Sequence, residues 1–407
     1  MKNSIININN IQLVLLSLIP IALIKGTAAS EAILVLIVIL FLIDVYTNKD
    51  FKWLKTKEFN FLFIIWIYLL VNSFLAINFQ LSISRSFFFF RYILLIFAIQ
   101  RILNRDTSVK FLFIIWTASI LITSLDIYYE FFFKKNILGF VSPDSTRIVS
   151  FMENKLRIGG FMLGFFLLCC GYLSNYFLRK NFFIMFCIVI FFLISIILTG
   201  ERANTIKAVI GVFLFLCLFK SKLKYYLLIL ILLLPVGIFF LSENIKSRYI
   251  SAYATLNLNI KEHKNLLADS LHGAHYNAAW MIFKNYPIFG IGNKNFRIEC
   301  SKDKYIDETF KAYKGRCNTH PHQIYLEILS ELGIVGFILI FGFIFYFVFQ
   351  GILSFIKKNN YILLGSTIYS LTYLIPLIPT GGFFSSFNAL IFWLNISIML
   401  NFIKKNR

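Results

Sequence analysis

Long apolar runs separated by short polar stretches fill almost the whole chain. A helix crosses the bilayer core with about 20 mostly apolar residues, and this criterion predicts twelve spans. The first two runs are short and could instead form a tight hairpin. The predicted spans lie near residues 11–25, 28–45, 59–79, 86–102, 110–130, 158–178, 182–199, 204–219, 225–241, 323–350, 361–378 and 383–402. The pattern predicts an all-α polytopic membrane protein.

Lysine and arginine concentrate in every second connection between these spans. Basic residues follow the second, fourth, sixth, eighth and tenth spans and close the chain, as Lys49, Arg101 and Lys404 illustrate. Cytoplasmic loops of membrane proteins collect such residues. We therefore predict an even number of spans with both termini in the cytoplasm.

Two of the outward-facing loops are long. Residues 1–241 are predicted to hold nine spans and one of these loops, near 131–157, and residues 323–407 to hold the last three spans. Between them, residues 242–322 form the one loop large enough for an external subdomain. All five histidines of the chain lie in this loop: His263, His272, His275, His320 and His322. The clustering of so rare a residue points to chemistry at the outer face.

Composition agrees with this picture and limits the possible partners. The chain is 59% hydrophobic and 14% charged, with a mean hydropathy of +0.77, which is too apolar for a soluble domain. Its net charge of +21 is explained by cytoplasmic loops, so no nucleic-acid partner is expected. The external loop holds twelve Lys or Arg against seven Asp or Glu. Either an anionic substrate or simple solvation of loop charges accounts for that excess.

The six cysteines fall into two groups. Cys169, Cys170, Cys187 and Cys217 lie within predicted spans and are interpreted as small buried hydrophobes. Cys300 and Cys317 lie in the external loop, where an oxidising compartment favours a disulfide. A zinc site formed with nearby histidines is the competing interpretation, although the spacing matches no standard zinc pattern. Free thiols are the third.

The segment His320-Pro321-His322 immediately precedes the tenth span. Proline is favoured at the first helical position, so we expect the helix to begin at Pro321 with His322 in its first turn. The positive end of a helix attracts anions and lowers the pKa of a histidine beside it. His322 is therefore a candidate general base and His320 a candidate substrate-binding residue. The alternative is that either histidine only caps the helix or meets lipid head groups.

Acidic and basic side chains at predicted span ends complete the candidate site. Glu327 lies on the same helix face as Glu331 and could hold a histidine or a sugar, or pack against the loop. Arg202, in the turn LTGERANTI, can bind a substrate phosphate through two hydrogen bonds from its planar guanidinium, or it can reach lipid phosphates instead. Arg147 and Arg157, in the first long loop, and Arg248, at the entry to the second, could likewise contact a diphosphate or anchor in head groups.

Three segments together resemble the O-antigen ligase and polymerase family of bacterial membrane glycosyltransferases. They are LTGERANTI, then Trp280 with NYPIFGIG, and finally HPHQIYLEILSELGIVG. The family pattern has an Arg after a Thr-Gly turn, a Trp followed by Pro-x-x-Gly-x-Gly, and a His-amide pair leading to Glu-x-Gly-x-x-Gly. The resemblance covers the second half of the chain, whereas the first half matches only in its spans.

The resemblance implies a twelve-span protein of the bacterial inner membrane with its active site facing the periplasm. The donor is expected to be a glycan on a polyprenyl diphosphate such as undecaprenyl diphosphate, and the acceptor a sugar hydroxyl of the lipid A-core. No cofactor or metal is expected, and the reaction should invert the anomeric configuration. Carried over, Arg202 binds the donor diphosphate and His322 acts on the acceptor hydroxyl.

Two positions depart from the family pattern. Tyr276 stands where the family often has an Arg, so His275 or Arg248 is expected to take over part of its role. Gln323 replaces the usual Asn after the histidine. An O-antigen or polysaccharide polymerase, with a lipid-linked glycan as acceptor, is the alternative function. A glycan-lipid transporter or flippase is the alternative of another class, although it would show mid-span charges and internal symmetry.

Overall fold

Helices are the regular secondary structure of the residues that the structure describes. The computed structural model describes residues 8–177, 182–220, 224–243, 246–247, 250 and 270–406. In these residues the α-helices are α1 (Ile8–Ser17), α2 (Ile19–Lys25), α3 (Thr27–Asn48), α4 (Lys57–Phe74), α5 (Phe79–Phe88), α6 (Phe90–Ile102), α7 (Asp106–Phe133), α8 (Ile158–Phe177), α9 (Phe182–Leu198), α10 (Arg202–Cys217), α11 (Lys224–Leu241), α12 (Leu271–Asn285), α13 (Phe296–Glu299), α14 (Ile324–Lys358), α15 (Tyr361–Tyr373) and α16 (Ser386–Lys405). The predicted all-α class is confirmed.

Each apolar run of the sequence coincides with a helix or a pair of helices. By length and composition, α3, α4, α5 with α6, α7, α8, α14 and α16 could cross a membrane. The number rises from seven to eight if α1 and α2, which are bent by 45° at their junction, form one span. Helices α10 and α15 have only 16 and 13 residues, and α9 and α11 are also short. Twelve spans, and the domain boundaries drawn from them, therefore remain predictions.

The centre of the helix bundle is α15, which packs against α8, α10, α14 and α16. All of its residues except Leu371 are buried. Its serine and threonine side chains find acceptors within the helix itself, as when Ser370 Oγ donates to Ser366 O at 3.0 Å. Because the polar groups are satisfied by the helix backbone, this short helix can be enclosed by protein on every side.

Helix α14 is broken near its start, and the break receives a loop. Gly333 has φ 64° and ψ −169°, a conformation that is essentially restricted to glycine. The interrupted turn exposes backbone groups that pair with the segment NYPIFGIG. Ile334 N donates to Pro287 O at 2.8 Å, and Gly292 N donates to Glu331 O at 2.8 Å. Gly333 thereby forms a docking site for this loop.

Candidate active site

A cavity of about 640 Å³ lies where the N-terminal ends of α3, α8, α10 and α16 meet two loops, 286–323 and 374–385. Most charged side chains of its wall are cationic: Arg85, Arg147, Arg157, Lys207, Lys294 and Arg297. Glu201 is the single carboxylate among the wall residues. Six positive charges against one negative give this wall an excess of positive charge, which would attract a multiply charged anion.

Glu201 joins the starts of two helices and orients one of the arginines. Its Oε1 atom accepts a hydrogen bond from Gly159 N at 3.0 Å, and its Oε2 atom accepts one from Asn204 Nδ2 at 2.6 Å. Arg147 Nη2 lies 3.5 Å from Oε1 and donates to Leu156 O at 2.6 Å. Burial raises the pKa of Glu201, and Arg147 opposes that rise. The Glu201 carboxylate therefore has a structural role within the cationic wall.

Lys207 places a buried positive charge in the wall without a carboxylate beside it. The residue is 3% exposed, its Nζ atom donates to Pro379 O at 3.0 Å, and it lies 5.6 Å from the centre of the Tyr373 ring. Among the described residues no Asp or Glu is within ion-pair distance of it. Burying an ammonium group costs several kcal/mol unless it is paired. An anion bound in the cavity would offset that cost.

Arg157 also lines the cavity, as the sequence suggested. Its guanidinium group stacks 4.4 Å from the centre of the Phe387 ring, and its Nε atom has no hydrogen-bond acceptor among the described residues. Burial lowers the pKa of Arg157. Stacking fixes the plane of the guanidinium while leaving part of its donor capacity for a ligand.

Four histidines meet at one side of the cavity. His320 and His322 line it, with ring centroids 4.1 Å apart. The rings of His275 and His272, from α12, lie 5.2 Å and 5.3 Å from the ring of His322. The fifth histidine, His263, lies outside the described residues. The clustering in the sequence is thus matched by proximity in space.

The two cavity histidines are neutral near pH 7. Burial lowers the pKa of His322 to about 3, and the neighbouring rings of His320, His272 and His275 add to the effect. Burial, followed by the positive charge of Lys294, lowers the pKa of His320 to about 4. A neutral imidazole can accept a proton, as a general base must.

The reason predicted for this low pKa, a position in the first turn of a helix, is wrong. Helix α14 begins at Ile324, and the side chain of Gln323 caps it by accepting a hydrogen bond from Leu326 N at 2.8 Å. His322 has a left-handed φ of 59°, and Thr380 N donates to its carbonyl oxygen at 2.8 Å. Pairing with the opposite loop therefore outweighed the preference of Pro321 for a helix start.

The buried carboxylates of α14 hold the two loops that form the cavity walls. Glu331 accepts hydrogen bonds from Lys294 N at 2.8 Å and from Phe296 N at 3.2 Å. Glu327 accepts from Phe383 N at 3.1 Å and 3.0 Å, and both glutamates are fully buried. Of the interpretations left open for Glu327, the contacts favour packing on a loop over contact with a sugar.

The remaining site candidates among the described residues do not line the cavity. Arg202 is the first residue of α10. Burial lowers the pKa of His272, and the charge of Arg202 adds to that effect. The chain neighbours of Arg202, Glu201 and Ala203, line the cavity. Arg248 lies outside the described residues. Cys300 and Cys317 are joined in a disulfide with Cα atoms 5.4 Å apart. In the described part of the chain no group of three or more His, Cys, Asp or Glu is arranged to hold a metal ion.

Sequence reasoning missed four of the cavity cations. Lys207 carried a signal, since a lysine within a predicted span usually has a function. Arg85 follows a polar turn before the fourth span, and its Nη1 atom reaches Ser386 Oγ at 3.2 Å. Lys294 and Arg297 are brought to the cavity by the docked NYPIFGIG loop, and no local pattern indicates that contact.

Helices able to cross a membrane, with a cationic cavity and neutral histidines at one end, are features of a membrane enzyme acting on an anionic substrate. Residues 186–341 match the family model described as O-antigen ligase. The resemblance inferred from the motifs is thereby confirmed by a match that covers 156 of the 407 residues. A search of curated proteins gives no match.

Proposed function

We propose that the protein transfers a glycan from a polyprenyl diphosphate to a sugar hydroxyl of the lipid A-core at the periplasmic face of the inner membrane. The observation that carries this proposal is the 640 Å³ cavity, in which six cations face two neutral histidines. A diphosphate supplies the negative charge that such a wall attracts, and a hydroxyl acceptor requires a base.

The cations would bind the donor and stabilise its leaving group. Arg157 and Lys207 have donor capacity that the protein does not use fully, and Arg147 is oriented by Glu201. We assign a further diphosphate contact to Arg202, at the side of the histidine cluster. Fixed positive charges in a partly enclosed site stabilise the charge that develops as the diphosphate leaves.

His322 would act as the general base. In the empty cavity burial disfavours the protonated ring, but an anion bound nearby favours it. Binding of the diphosphate would therefore raise the proton affinity of His322 at the moment when the acceptor hydroxyl must lose its proton. As a result, His322 would remove the proton of the acceptor hydroxyl efficiently only when the donor is bound.

The transfer is a single displacement. The acceptor oxygen forms a bond to the anomeric carbon while the bond from that carbon to the diphosphate oxygen breaks. The acceptor proton passes to His322, and polyprenyl diphosphate leaves with the bonding electrons. Attack from the face opposite the leaving group inverts the anomeric configuration, and the protein cations supply the electrostatic stabilisation without a metal or cofactor.

The first test uses purified protein in proteoliposomes with a lipid-linked glycan and lipid A-core. Wild type should form the linked product, and His322→Gln should lose at least about 100-fold in rate. The rate of Arg202→Lys should fall sharply, because lysine lacks the planar guanidinium that binds phosphate through two parallel hydrogen bonds. Arg105→Lys, an exposed arginine that does not line the cavity, is the matched control. Full activity of His322→Gln would overturn the base assignment.

A second test separates the ligase from its alternatives. In cells lacking the gene, bare core with glycan left on its carrier would support the ligase, whereas core with one repeat would indicate a polymerase. Formation of product by the purified protein would exclude a pure transporter. Movement of the donor across the bilayer without any product would instead support the flippase interpretation.

A further inference from the structure

A second polar cavity, of about 480 Å³, lies at the end of the bundle opposite the cationic cavity. Helix α16 links the two: Ser386, its first residue, lines the first cavity, and Lys404 and Lys405, at its end, line the second. Its 20 residues span about 30 Å, the thickness of a bilayer core. The basic loops predict that this second end faces the cytoplasm.

The second cavity presents hydrogen-bond donors that the protein leaves without acceptors. Asn401 is 2% exposed, and its Nδ2 atom has no hydrogen-bond partner in the described residues. The indole Nε1 of Trp53 is likewise without an acceptor. The Trp53 ring is fixed by edge-on contacts with Phe41 and Phe59 at 5.6 Å and 5.1 Å. Buried donors are normally satisfied, so both point to a missing acceptor.

Four cations and one carboxylate, Asp50, line this cavity, and Asp50 lies 3.6 Å from Arg101. Arg101 is neutralised by Asp44 at 2.5 Å, and Lys405 pairs with Asp106 at 3.2 Å. Lys404 Nζ donates a hydrogen bond to the uncharged Gln100 at 3.2 Å. Neither Lys404 nor Lys52 makes an ion pair among the described residues. Lys52 and Lys404 therefore keep their charge available for a ligand.

We propose that this cavity binds the phosphate group of an anionic phospholipid such as phosphatidylglycerol. Phosphate oxygens would accept hydrogen bonds from Asn401 and Trp53 and pair with Lys52 and Lys404. The neighbouring residues Phe51 and Leu54 are 48% and 37% exposed, as expected of side chains that meet acyl chains. These apolar neighbours favour a lipid over free phosphate, and the lipid would link α3 and α6 to the end of α16.

The test uses protein purified in a neutral detergent and stripped of lipid. Phosphatidylglycerol should raise the apparent Tm, whereas phosphatidylcholine and inorganic phosphate at equal concentration should not. In Lys52→Gln/Lys404→Gln the affinity for phosphatidylglycerol should fall about 30-fold. Lys55→Gln/Lys357→Gln, which removes two lysines from the same end of the bundle but outside the cavity wall, should leave it unchanged.

A second measurement does not depend on thermal unfolding. Native mass spectrometry should find one more retained phosphatidylglycerol on wild type than on the Lys52→Gln/Lys404→Gln variant, and Asn401→Leu should also lose it. Equal stabilisation by inorganic phosphate would overturn the lipid assignment. Equal losses in the two double-lysine variants would overturn the site itself.

Discussion

Replacing Gly333 with alanine should destabilise the protein at the junction between α14 and the NYPIFGIG loop. The residue has φ 64° and ψ −169°, which costs a residue with a side chain about 2 kcal/mol. A Cβ atom there would lie 2.2 Å from Ile288 O, so the loop must move. The hydrogen bonds from Ile334 N and Val335 N to the loop are worth about 1 kcal/mol each. The expected loss in the free energy of unfolding is about 4 kcal/mol.

The assay is thermal unfolding of the detergent-solubilised protein, followed by tryptophan fluorescence. At about 2 °C per kcal/mol for a large chain, Gly333→Ala should lower the apparent Tm by about 8 °C. Gly342→Ala is the control in the same helix, because its Cβ atom would meet nothing closer than Phe61 at 3.8 Å. Alanine is the better helix former, so this variant should be neutral or slightly more stable.

A partner variant tests whether the junction behaves as one contact. Gly290 has φ 70°, and a Cβ atom there would lie 2.4 Å from the carbonyl carbon of Glu331. Gly290→Ala and Gly333→Ala disrupt the same interface, so the double variant should lose less than the sum of the single losses. Strict additivity, or a Gly333→Ala variant as stable as Gly342→Ala, would refute the docking argument.

Three further predictions concern the cationic cavity and its loop. Lys207→Met should raise the apparent Tm of the ligand-free protein, because an unpaired buried charge is removed, yet lower the transfer rate at least about 10-fold; a lower Tm would contradict this. Replacing Cys300 and Cys317 with serine should destabilise their loop by about 3 kcal/mol, measured as faster proteolysis there than elsewhere. Because burial lowers the pKa of His320 and His322 from about 6.5, the unfolded chain binds more protons below that pH. Stability should therefore fall as the pH drops from 7 towards 4. The fall should be smaller in His320→Gln/His322→Gln, and an equal pH dependence of that variant would contradict the assignment.

Hydropathy was sufficient to predict the helices, whereas the side of the membrane that the loop charges indicate for the site stays a prediction. Each predicted span has its helix because apolar runs report burial in lipid or protein residue by residue. The histidines and Arg157 were predicted for a related reason, since polar side chains at span ends face an aqueous or headgroup region. These are local properties that neighbouring residues determine.

The wall of the cavity depends instead on contacts between distant residues. Lys294 reaches it because its backbone N–H binds Glu331, 37 positions later, and His322 leaves the helix because Thr380 holds its carbonyl oxygen. Pro321 therefore gave the wrong helix start, since its local preference is weaker than that pairing and the cap by Gln323. No periodicity in the sequence encodes such contacts.

One turn of α14 governs both loops of the cavity, because Glu327 holds Phe383 and Glu331 holds Lys294 and Phe296. Any displacement of that turn must carry both walls with it. For protein engineering, this makes the two loops and the turn between them a single exchangeable cassette. A graft that imports one loop from another enzyme, in order to change the acceptor, should fail unless residues 286–297, 323–333 and 379–385 are transferred together.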